Sequence, residues 1–194
     1  MAISSAGAEA RSWFLPKRLV ADLAFTLGRL AIVGLIAIGV SGGIAGAMGS
    51  LFGERFVSGD LPDITYTRAR CTDFFEYSPG ARSCEEAATH HHYGEVTTYR
   101  AGAGFLGLLA LGVYLLIRRR FRTTPSTLPD GFEATVGTTL FGGAAAALLF
   151  SSLPFVVLGQ AAGSGQYLSA GIVALAVAAL YGASLYRTLL RRAA

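Results

Sequence analysis

Four stretches of the chain, 31–53, 101–117, 134–159 and 167–186, contain no charged residue at all. A lipid interior offers backbone amides no partners, so a segment crossing about 30 Å of hydrocarbon must satisfy its own hydrogen bonds as a helix. At a rise of about 1.5 Å per residue each stretch is long enough to do so. The expected fold is an all-α integral membrane protein with four transmembrane helices in an up-down bundle. A soluble helical domain is the competing reading, since buried core helices can be apolar all round. Against it, only 14% of the residues are charged, where soluble chains average about 25%.

Charge orients the spans. Lys17, Arg18 and Arg29 precede the first, Arg118, Arg119, Arg120 and Arg122 follow the second, and Arg187, Arg191 and Arg192 follow the fourth. All three clusters fall on one side if the helices thread up and down, which places both termini in the cytoplasm. Residues 54–99 then form an external loop, and with Arg100 that region holds an acidic excess. The division expected is a cytoplasmic and interfacial segment 1–30, helix 1 at 31–53, the external loop 54–99, helix 2 at 100–117 and a basic connection 118–133. Helix 3 at 134–159, a turn 160–166, helix 4 at 167–186 and a basic tail 187–194 complete it. The arginine run is explained by topology, and nucleic acid is not an expected partner. Fifteen arginines, one lysine and no asparagine point to a GC-rich, prokaryotic coding bias.

Helix 1 also has features of a secretory signal, with Ala45-Gly46-Ala47 resembling a cleavage site. The long region before its apolar run, and the run's continuation to Phe52, favour a retained span. Asp22 and Arg29 lie two helical turns apart and share a face, so Arg29 is expected to pair with Asp22 or to reach the headgroups. Gly39, Gly42, Gly43, Gly46, Gly49 and Gly53 form three overlapping or adjacent GxxxG registers. Small residues four apart let another helix approach closely, so these are the expected packing residues. Asp130, with Glu133 three residues on, reads as an N-cap with a capping-box partner for helix 3. Pro154 is expected to kink that helix.

The external loop has the composition of a small folded domain. Ile64, Tyr66, Arg68 and Arg70 alternate with Thr65, Thr67 and Ala69, Glu95 to Tyr99 is similarly rich in strand-favouring residues, and Ser78-Pro79-Gly80 reads as a turn. A short β-hairpin is one form this domain could take. Cys71 and Cys84, the only cysteines, would both lie in an oxidising compartment and are expected to pair. Closing a loop of about 14 residues stabilises by about 3 kcal/mol in the chain-entropy model. Redox enzymes of four-helix type use Cys-x-x-Cys, whereas twelve residues separate this pair. Phe74, Phe75 and Tyr77 lie within the closed loop as candidate partner contacts or as a miniature core.

His90, His91 and His92 are the whole histidine complement, followed by Tyr93 and Glu95. Such a tract can bind zinc, copper or nickel, or respond to pH. Neighbouring side chains diverge on any regular element, however, so three consecutive histidines converge poorly on one ion. Apart from that weak possibility no cofactor is expected. No histidine lies within a span and no Asp, Glu or Lys near a span centre, which removes the usual carriers of haem ligation or ion coupling. The sequence has no P-loop, nucleophile elbow or zinc-protease helix.

Four spans, internal termini and paired cysteines in the first external loop resemble claudin-type tetraspan proteins in topology. Their Trp–Gly-Leu-Trp signature before the cysteines has no counterpart, the only tryptophan being Trp13, so no family is implied. The leading expectation is a non-enzymatic accessory or structural subunit in a lipid bilayer, binding a protein partner or a second copy through its external loop and glycine-rich helix 1. A small transporter or channel component, and an external metal-binding or pH-sensing protein, are the alternatives.

Overall fold

The computed structural model describes residues 17–59, 68–120, 127–157 and 163–193, with the side chains of 68–70, 119–120 and 154–157 excepted. Among the described residues every regular element is a helix: α1 Lys17–Phe52, α2 Glu54–Ser58, α3 Arg68–Tyr77, α4 Cys84–Arg120, α5 Phe132–Val157 and α6 Ser164–Ala193. Four of them, α1, α4, α5 and α6, are long and apolar enough to cross a membrane.

The helices are arranged as two pairs. α4 packs along α1, α5 packs along α6, and the pairs meet mainly where α1 lies against α6. The α1–α4 seam depends on small residues. A Cβ placed on Gly39 would lie 2.7 Å from the Gly107 Cα, so the two backbones are in direct contact there. On α4 the seam continues through Ala110, which is buried. The α5–α6 pair closes differently, with glycine opposite a large side chain: Gly137 faces the ring of Tyr181, and Gly171 faces Leu149. Leu30, Phe141 and Ala178 form a small core joining α1 to that pair, and Phe141 stacks on Tyr181 at 6.0 Å.

Several expectations are corrected. The described part of segment 54–99 contains no strand; Arg68 and Arg70 lie in α3, while Ile64 to Thr67 fall outside the described residues. Glu95 to Tyr99 are helical as part of α4, which begins at Cys84 rather than at residue 100. Here the β-branched run is accommodated because Thr97 and Thr98 donate their hydroxyls to Tyr93 O and Gly94 O at 2.8 and 3.0 Å. Such back-bonding lets a threonine sit in a helix without an unpaired hydroxyl. The start of α4 is set by Ser83, whose Oγ accepts from Glu86 N–H at 3.1 Å, while Glu86 Oε2 accepts from Arg82 N–H at 2.7 Å. This is a capping-box arrangement with the return bond shifted one residue outward.

The start of α5 also differs from expectation. Phe132 is its first residue, Gly131 precedes it at φ 87°, and Thr135 N–H donates to Gly131 O at 2.8 Å. Asp130 is therefore one position too early to cap, and it meets Arg192 at 3.7 Å instead. Glu133 is not a capping partner either, because its carboxylate is turned to Arg29 at 3.0 Å. That contact corrects the expected Arg29–Asp22 pairing: Asp22 accepts instead from the backbone and hydroxyl of Thr127 at the start of the segment leading into α5. α5 continues past position 154 to Val157, and the kink expected at Pro154 lies among side chains outside the description. Most of the expected turn 160–166 lies outside it as well.

Candidate functional site

Two regions combine polar side chains with space or exposure, one at each end of the helices. The first is a cap made by α2, α3 and the N-terminal half of α4. Gly53 at φ 92° breaks the helix after Phe52 and lets α2 fold back across the end of α1; a left-handed backbone of that kind is cheap only for glycine. Val57 of α2 is fully buried, and Phe56 and Val57 fill the space left by the missing side chain of Gly165 in α6. Arg100 of α4 ties the junction together. It donates to Glu54 Oε2 at 2.8 Å and to Ser58 Oγ at 2.7 Å, with 13% of its side chain exposed. Sequence reasoning treated Arg100 as a span boundary; its signal was the presence of a lone arginine abutting an uncharged stretch.

α3 is held on α4 by the disulfide between Cys71 and Cys84, whose Cα atoms are 5.5 Å apart. Ala87 and Ala88 of α4 are buried. Phe74 and Phe75 are half-buried, whereas Tyr77 is 72% exposed, and Tyr99 further along α4 is 78% exposed. The three histidines occupy one turn of α4 and diverge. His90 is exposed; His91 packs against Phe74 at 5.5 Å and edge-on to Tyr77 at 4.9 Å, with Nδ1 3.9 Å from Glu95. His92 lies 5.5 Å from the ring of Tyr93 and buries Nε2 without a hydrogen-bond partner among the described residues. Among those residues no group of three or more His, Cys, Asp or Glu side chains is placed to share a metal ion. Of the three, His91 is the one that packs against α3.

The glycines of α1 divide by face. Gly39 and Gly42 face α4, where a Cβ added to Gly42 would lie 3.7 Å from Ala103 Cβ, and Gly49 faces the carboxylate of Glu54. A Cβ added to Gly43 or Gly46 would meet nothing within 4 Å, and Gly53 makes the bend before α2. The α4 side of the crossing was missed in the sequence, although Ala103 and Gly107 repeat the same small-residue spacing.

The second region is a groove of about 1130 Å³ at the opposite end. It runs along α1 and α6, with the segment 128–134 closing one side and Tyr114 of α4 at its edge. Its long part is apolar, lined by Val33, Val40 and Ile44 of α1 and Ile172, Val177 and Leu180 of α6. Charged groups gather at one end only: the Arg29–Glu133 pair, then Asp22 and Asp130. Several hydroxyls within the long helices are engaged by their own backbones. Ser41, Ser151, Ser152, Thr138 and Ser169 donate to carbonyls three or four residues earlier.

The chain matches no protein-family model, and neither curated proteins nor solved structures give a significant match.

Proposed function

We propose that the chain is a non-enzymatic, multi-pass protein of a prokaryotic cell membrane that binds a partner protein through its disulfide-held cap. Both termini face the cytoplasm in this reading, and the helices thread up and down. The membrane reading is supported by the outward faces of the long helices, where Leu106, Leu108, Leu116 and Phe150 are all more than half exposed. Continuous apolar surface of that extent is not tolerated in water. The orientation rests on the basic clusters at the C-terminal ends of α4 and α6.

One observation carries the binding role. α4 has 37 residues, or about 55 Å at the helical rise, against about 30 Å of hydrocarbon. Its uncharged part is 101–117, so the 84–100 half projects outward as a rigid arm with α3 stapled to it. A rigid support presenting exposed tyrosines is what an interface anchor requires, because little side-chain entropy is lost on contact. The self-bonded hydroxyls within the helices favour a structural over a catalytic role.

The experiment replaces residues 71–84 with a Gly-Ser connection of equal length and compares material purified in mild detergent from native membranes. The expected outcome is loss of a co-purifying protein while the chain remains membrane-inserted. Undiminished association in the replaced form would overturn the reading.

A further inference from the structure

The groove between α1 and α6 presents three chemistries in a fixed order. From Ile44 to Val33 its α1 wall is apolar, opposite Ile172 and Val177 of α6. One turn beyond Val33 stands Arg29, its guanidinium 3.0 Å from Glu133 and about one-third exposed at 32%. Seven residues further out, about 10 Å along the helix, are Asp22 and, across the opening, Asp130, the latter with the Arg192 guanidinium 3.7 Å from its carboxylate. Asp22 is held there by two hydrogen bonds from Thr127.

We propose that this groove binds a glycerophospholipid whose head group ends in a primary ammonium, with one acyl chain in the apolar part. The inference rests on the membrane reading above, since the ligand is taken from the leaflet beside the groove. The order of groups in such a lipid is chain, phosphate, ammonium, and the groove repeats it as apolar wall, arginine, carboxylates. From Ile44 to Arg29 is about 22 Å of helix, which spans the leaflet's share of about 30 Å of hydrocarbon. A guanidinium has five donors, so an Arg29 that gives one to Glu133 can give others to a phosphate. The outer carboxylates select the end of the head group. A head group ending in hydroxyls, as in phosphatidylglycerol, brings no cation to Asp22 and Asp130 at the opening. A quaternary ammonium has no N–H to donate to them. A primary ammonium has three.

The test uses the full chain in vesicles containing equal parts of phosphatidylethanolamine, phosphatidylglycerol and phosphatidylcholine, followed by mild extraction and native mass measurement of retained lipid. Alkaline washing of the vesicles first establishes insertion, so failure of the membrane reading is seen separately. The expected result is phosphatidylethanolamine retained at least fivefold over the other two. Asp22→Asn should reduce that preference to near parity, Arg29→Gln should reduce retention of all three, and Ala176→Phe, which fills the apolar part, should remove it. Inserted protein that retains no lipid, or retains phosphatidylglycerol as well or better, overturns the proposal. So does retention unchanged by Ala176→Phe. The preference of the unaltered chain decides the matter even if a variant fails to fold.

Discussion

At Gly39 the backbones of α1 and α4 meet with no room for a methyl group. Gly39→Ala should therefore lower stability by about 1–3 kcal/mol, the usual cost of overpacking. Gly43→Ala, on an open face four residues away, should be neutral or stabilise by up to about 1 kcal/mol, since glycine is the poorer helix former. Thermal unfolding in one detergent would compare the two, and equal effects would refute the assigned faces. Arg100 offers a second test at this scale. Removing its partner by Glu54→Gln leaves a guanidinium that is 13% exposed without its carboxylate, which should cost about 1–3 kcal/mol. Coupling between Glu54→Gln and Arg100→Gln in a double-mutant cycle would measure the contact itself. The glycine spacing in α1 was readable in the sequence, but which glycine meets which neighbour depends on helix rotation, which spacing does not determine. The Arg29–Glu133 pairing was unreadable for the same reason: it joins residues over a hundred positions apart, whereas Asp22 offered a local partner.

Among the elements, α4 departs most from what its sequence implies. Val96 to Tyr99 favour strand by residue type, yet they lie inside a helix nucleated upstream by Ser83 and Glu86. The Ser-Cys-Glu-Glu run at 83–86 matches a helix start signal, one that a reading by residue type further along the chain leaves unused. Ser83→Ala should cost about 1 kcal/mol, as loss of an N-cap does, and hydrogen exchange should quicken first at residues 84–88. Replacing both cysteines with serine should release α3 from α4, lowering stability by about 3 kcal/mol and speeding exchange throughout 71–77, while α5 and α6 stay protected. Protection retained across 71–77 would show that Phe74, Tyr77 and His91 hold α3 without the covalent link.

On the scale of the whole molecule, the four uncharged stretches were plain in the sequence because length and composition alone report them. Their order of contact was not, since every outward and inward face is apolar and no periodicity distinguishes lipid from neighbour. Membrane orientation can be checked by cysteine labelling: Thr127→Cys should react with an impermeant maleimide only from the cytoplasmic side, and Ser78→Cys only from outside. The reverse pattern would invert the topology, and with it the compartment of the disulfide.

Because α4 lies on α1 and α5 on α6, with α1 against α6 as the main seam between them, the chain is two helical hairpins sharing one wall. Each hairpin can close before the other exists, so synthesis need not hold an unfinished bundle open. A chain severed in the segment between α4 and α5 should accordingly reassemble when its halves are made separately in one cell, and the Gly39→Ala change should impair folding of the first half by itself without affecting the second.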